Sequence, residues 1–131
     1  MGLIITPIYA ALLGLVFVVL SLRTIRIRRK NKIAVGDGSH SQLQRAMRVH
    51  ANFAEYTPIA IILVGFVESL KYNTIIIHIL LSTFLLGRIV HAYGMSRINE
   101  DFRFRVFGMI MTFNLITVSS ALIIFNSLIG R

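Results

Sequence analysis

Four residues of one short segment, Arg45, Arg48, Asn52 and Glu55, carry most of the chemistry this sequence offers. They are spaced by 3, 4 and 3 positions. At about 100° per residue, that spacing gathers them into one narrow sector of a helix, while His50 points elsewhere. A second polar group comprises Arg88, His91, Tyr93, Ser96 and Arg97, with Arg88 and His91 one turn apart on a shared face. If the two groups meet, the site is strongly cationic, with Glu55 the only carboxylate on the first face. Guanidinium groups offer planar, bidentate donors, so the pattern suits a small ligand bearing several carboxylates. It also favours an anionic nucleophile over the neutral acid of that nucleophile. No metal is expected, because His50, His78 and His91 share no ligand spacing and their neighbours are cationic. The chain has no cysteine, so any thiol must arrive with a ligand.

The elements that must position these residues are membrane helices. Of the 131 residues, 56% are hydrophobic and 15% charged, with a mean hydropathy of +0.76, whereas a soluble domain carries about a quarter charged residues. One span needs roughly 20 apolar residues, so four spans and short connections use up the chain. The reading is an all-α membrane protein, a four-transmembrane-helix bundle forming one embedded domain over residues 1–131.

The first span is predicted over Leu3–Leu22, with Pro7 in its first turns, where a missing N–H costs little. It has no positive n-region or small-residue cleavage site, so it is expected to remain as a helix. Arg23, Arg26, Arg28, Arg29, Lys30 and Lys32 follow it. Val35-Gly-Asp-Gly-Ser39 is a turn signal, Gly supplying positive φ and Asp a local cap, with Ser39 or Ser41 as N-cap of the next helix. The second span is predicted from Gln42 to Leu70 with a bend at Pro58, the third from Asn73 to Tyr93, and the fourth over residues 106–130. The third is β-branched at Thr74-Ile-Ile-Ile, but its length and surroundings favour a helix.

The formal net charge is +9, which in a soluble chain would point to nucleic acid. Here the basic residues cluster at the ends of apolar stretches and no base-stacking aromatic stripe accompanies them, so no nucleic-acid partner is expected. The first and third connections are basic, while the second has Lys71 against Glu68. The positive-inside rule therefore places both basic loops in the cytoplasm and both termini outside.

Charged groups within a span cost on the order of 2.5–3.5 kcal/mol each at its centre, so these must face protein or a wet cavity. The plain structural reading is an Arg48–Glu55 ion network with Asn52 as interhelical glue and Arg45 snorkelling. Intramembrane charge more often marks function.

The run Arg45-Ala-Met-Arg48-Val-His-Ala-Asn52-Phe-Ala-Glu55-Tyr56-Thr-Pro58 resembles the second-helix signature of the MAPEG family, membrane-associated proteins in eicosanoid and glutathione metabolism that include microsomal glutathione transferases and leukotriene C4 synthase. Gly87-Arg88-Ile-Val-His91-Ala-Tyr-Gly-Met-Ser-Arg97 is similar to the family's third helix, and the short Gly-Asp-Gly loop resembles its compact bacterial branch. The resemblance implies a homotrimer in a bacterial inner membrane, binding glutathione as co-substrate between subunits near the cytoplasmic face. Arg48, Asn52, Glu55, Tyr56, Arg88 and His91 would contact glutathione, and Arg26 would hold one of its carboxylates. An Arg at the start of the fourth helix would stabilise the thiolate, and Arg103 and Arg105 compete for that place. The chain departs from several relatives where Met95 replaces a glutathione-contacting Tyr, and Tyr93 would project differently.

The implied activity is glutathione transfer to hydrophobic electrophiles dissolved in membrane lipid, together with reduction of lipid peroxides. Lowering a free thiol from a pKa of about 8.5 by two orders of magnitude in acidity takes roughly 2.7 kcal/mol, within reach of one well-placed Arg. Two rivals stand beside it. One is a non-catalytic protein whose polar network fixes packing. The other is a small transporter, which usually shows an internal repeat, and none is visible here.

Overall fold

Four helices account for nearly all of the computed structural model, which describes residues 2–129. They are α1 (Ile5–Lys30), α2 (Ser41–Ser69), α3 (Thr74–Met95) and α4 (Phe102–Ile129), each long and apolar enough to cross a bilayer. The predicted end of the last span at residue 130 lies outside the described residues.

Two helices are longer than their apolar runs predict. α1 does not stop at Leu22 but continues to Lys30, ending on Arg28, Arg29 and Lys30. Arg and Lys are good helix formers, and cations at a C-terminus complement the helix dipole. Its 26 residues span about 39 Å at 1.5 Å each, more than a hydrocarbon core of about 30 Å, so the basic turns project beyond it. α4 starts at Phe102 rather than 106, because Asp101 Oδ1 accepts the backbone N–H of Arg103 at 3.0 Å and caps the first turn. The N-cap of α2 is neither Ser39 nor Ser41. It is His40, whose Nδ1 accepts from the Leu43 N–H at 3.3 Å. Ser39 instead sits at φ 58° within the turn, between the left-handed Gly38 and the helix, while Asp37 Oδ1 takes its N–H at 3.0 Å.

α2 and α3 form the short diagonal of the bundle. α1 lies along one side of that pair and α4 along the other, and α1 and α4 do not touch among the described residues. The core is apolar, from Leu13, Leu20, Val49, Phe53, Val64, Ile77, Leu81, Phe84 and Leu115. α3 and α4 cross closely at Gly87 and Gly108: a Cβ on Gly108 would lie 2.5 Å from the Gly87 carbonyl oxygen, so only glycine fits. At one end of the bundle Glu68 caps α1 from α2, accepting the backbone N–H groups of Ile4, Ile5 and Thr6 at 2.7, 2.7 and 2.8 Å. Tyr72 donates to the Leu122 carbonyl at 3.1 Å at that same end. The opposite end holds both basic connections.

Candidate functional site

The polar sector of α2 divides in two. Helical geometry orders it as Glu55, Arg48, Asn52, Arg45, with Tyr56 next, across roughly 100°. The Arg45 and Tyr56 edge turns into the bundle and takes Asn52 with it, whereas the Arg48 and Glu55 edge is exposed. Among the described residues Arg48 and Glu55 form no ion pair, so the plain structural alternative, an Arg48–Glu55 network, is not formed within the chain.

The inward edge is held by partners from three elements. Arg45 Nη1 donates to Glu100 Oε2 at 2.9 Å and to the Met95 carbonyl at 3.2 Å, tying the start of α2 to the end of α3 and the connection beyond. Arg105, on the first turns of α4, reaches the other oxygen of Glu100 at 3.7 Å. A single carboxylate, only 6% exposed, thus gathers two guanidinium groups from α2 and α4.

Deeper in, Arg88 is fully buried because α3 packs it between α2 and α4. Its Nη2 donates to Asn52 Oδ1 at 2.7 Å and its Nη1 to Thr112 Oγ1 at 3.3 Å. Thr112 passes its own hydroxyl proton to the Gly108 carbonyl at 2.9 Å. The guanidinium carbon lies 5.5 Å from the Phe53 ring centre and 6.0 Å from that of Tyr56, within cation–π range. No carboxylate pairs with Arg88 among the described residues. With its oxygen held by Arg88, the Asn52 carboxamide is fixed, and its NH2 group is left to donate elsewhere. His91, one turn on, is 1% exposed against Gly108, and its Nδ1 and the Arg88 Nε have no hydrogen-bond partner among the described residues.

The two groups foreseen on α2 and α3 therefore meet, but only through Asn52, Tyr56 and Arg88. Arg48 and Glu55 face outward beside them, and His91 is closed off within the chain. Arg103 and Arg105 are about 200° apart around α4 and face different ways. Arg103 is exposed, its backbone N–H taken by Asp101. Arg105 heads an apolar groove of about 520 Å³ formed with Phe102, Val106, Met109, Ile110 and Phe113. Phe113 meets the Tyr56 ring edge-on at 5.9 Å, so the groove, lined by α4 alone, abuts α2 at Tyr56 beside the polar cluster. Arg26 is exposed on α1, on the side of the bundle that α4 does not reach. Thr112 and Glu100 were missed as site residues in the sequence. Glu100 carries a signal, an acid in a basic connection, but Thr112 in an apolar helix carries none. No group of His, Asp or Glu able to hold a metal occurs among the described residues.

Comparison with known proteins agrees with this architecture. The sequence model of the MAPEG family matches residues 6–125. Two relatives, both called inner membrane protein YecN, from Escherichia coli strain K12 and Escherichia coli O6:H1, are each 39% identical over 108 residues, covering 82% of this chain and 81% of theirs.

Proposed function

The chain belongs to the MAPEG family, and on that premise we propose that it is a glutathione transferase acting on hydrophobic electrophiles within a bacterial inner membrane, the location stated in its relatives' name. The observation that carries this reading is the exposed Arg48–Glu55 edge of α2, with Asn52 held from behind by Arg88, beside an apolar groove headed by Arg105. A tripeptide with two carboxylates and one ammonium finds a bidentate cation in Arg48, an anion in Glu55 and an amide donor in Asn52. The thiol would lie toward Arg105, whose charge favours the thiolate. An electrophile entering along the groove would meet that sulfur at close range. A C–S bond forms, the leaving group departs with its electron pair, and the thiol proton goes to solvent.

In the proposed site Arg26 would come from another copy of the chain, since α1 packs on the His50 face of α2, roughly 140–200° around that helix from Glu55 and Arg48. A homotrimer, with the site between subunits, is accordingly part of the proposal. It also covers Arg48 and Glu55, which in a lone span would face lipid at a cost.

Isothermal titration of the purified protein with glutathione, followed by conjugation of a generic aromatic halide, tests the reading. The expected result is saturable binding and turnover, with binding lost in Arg48→Ala while the oligomer persists on a sizing column. Unchanged binding in that variant excludes the site. Binding without turnover supports the non-catalytic alternative, in which Arg48 and Glu55 of neighbouring copies fix the packing.

A further inference from the structure

On the seam between α1 and α3, across the bundle from the α2–α4 edge, a second cationic cleft opens at the end that carries the basic connections. It holds about 370 Å³ and is lined by Leu20, Arg23, Ala92, Tyr93, Ser96 and Arg97. We propose that this cleft seats the phosphodiester of an anionic phospholipid, one per chain, independently of any glutathione chemistry.

Two helices build the cleft jointly. Arg23 reaches from α1 to the C-terminus of α3, donating to the Ser96 hydroxyl and, at 3.4 Å, to the Ser96 carbonyl. Ser96 in turn donates to the Ala92 carbonyl at 2.5 Å, which fixes its side chain. Arg97 lies over the Tyr93 ring, 4.4 Å from its centre, and donates to the Tyr93 hydroxyl. Both guanidinium groups are thus oriented, and neither is ion-paired among the described residues, where both salt bridges belong to Glu100. A guanidinium carries five N–H donors. Arg23 spends two on Ser96 and Arg97 one on Tyr93, leaving donors on each for a further acceptor.

The acceptor must be an anion, because two unneutralised cations share one small cleft. Its depth selects the class. Arg97 lies just beyond the last residue of α3, Met95, where a span meets the headgroup layer, and a phosphate oxygen is the anion abundant there. The floor of Leu20 and Ala92 is apolar, and Ile89 is exposed one turn below Tyr93. An acyl chain leaving the phosphate can therefore lie along the seam, which a free phosphate cannot exploit. A zwitterionic headgroup brings a second cation toward Arg23 and Arg97 and is disfavoured.

Native mass spectrometry of the full chain in detergent, titrated with phosphatidylglycerol, phosphatidylcholine and inorganic phosphate in parallel, tests this. Because Arg23 also caps α3, the diagnostic variants are Arg97→Ala and Tyr93→Leu. Arg29→Ala is the control, removing the same charge from α1 outside the cleft. The expected result is one retained phosphatidylglycerol per chain, no comparable retention of phosphatidylcholine or inorganic phosphate, and roughly fivefold weaker retention in Arg97→Ala with Arg29→Ala unchanged. Tyr93→Leu, which frees Arg97 to swing, weakens retention in the same sense. Retention unaltered in Arg97→Ala overturns the proposal, as does an equal loss in Arg29→Ala, which would show general surface charge only. Inorganic phosphate binding as tightly as the lipid overturns it too, since the occupant would then be a soluble anion.

Discussion

Arg88 is the residue whose surroundings make the sharpest demand. A guanidinium with no carboxylate beside it, 0% exposed, is held by Asn52, Thr112 and two aromatic rings. Removing a buried charge that lacks a counter-ion relieves its desolvation cost, whereas Asn52 would lose the partner that fixes its carboxamide. Arg88→Met is therefore expected to keep or raise the melting temperature in detergent while weakening glutathione binding about tenfold or more, the scale of one hydrogen bond to a charged group. A variant that melts early and binds normally would make Arg88 a packing residue and remove Asn52 from the site. The same scale separates Arg105 from Arg103. Only Arg105 heads the α4 groove, so Arg105→Ala should lose the ultraviolet absorbance of bound thiolate and Arg103→Ala should retain it. Loss in both, or in neither, contradicts the assignment. The spacing of Arg45, Arg48, Asn52 and Glu55 was legible as a shared face. Its division into an inward and an outward edge was not, because steps of a few tens of degrees matter only once a neighbouring helix is in place.

Element boundaries were legible where hydropathy defines them and illegible where capping does. Charge ended the predicted first span at Leu22, yet a helix is indifferent to charge on its exposed end, and α1 runs on to Lys30. His40, a less common cap than the serines on either side of it, holds the start of α2. The crossing of α3 over α4 was also hidden, since Gly87 and Gly108 declare close approach only as a pair. That crossing brings Thr112 under Arg88 and closes His91 against Gly108, so site geometry depends on it. At Gly108 an added Cβ would lie 2.5 Å from both the Gly87 oxygen and the His91 Cβ, contacts that backbone cannot yield cheaply. Gly108→Ala is expected to destabilise the protein by about 1–3 kcal/mol through overpacking, read as a lower melting temperature. Gly14→Ala supplies the control: nothing lies within 4 Å of its would-be Cβ, and alanine's helix propensity should leave stability equal or higher by up to about 1 kcal/mol. Equal behaviour of the two variants would mean that α3 and α4 do not cross this closely.

For the whole molecule, the contacts fix which ends lie together, and charge then decides which way the bundle sits. Arg45 on Glu100 and Arg23 on Ser96 bring the first and third connections to one end, while Glu68 over the first residues of α1 marks the other. The first end carries Arg23, Arg26, Arg28, Arg29, Lys30 and Lys32 with no acid among residues 23–32, and the second connection sets Lys71 against Glu68. Lys and Arg in short loops hold their side in the cytoplasm, so the Arg48–Glu55 edge and the Arg105 groove would open toward that leaflet, where a cytosolic thiol tripeptide has access and a membrane-dissolved electrophile arrives from the side. Alkaline phosphatase fused after residue 129 should then be active in bacterial cells, and a green fluorescent protein at the same point dark, because each folds on only one side of the membrane. Replacing Arg26, Arg28, Arg29 and Lys30 together by Gln should shift part of the population toward the opposite pattern. A bright fluorescent fusion on the unmodified chain would invert the bundle, place the cationic edge on the outer side, and leave the proposed transferase site facing away from the cytosol.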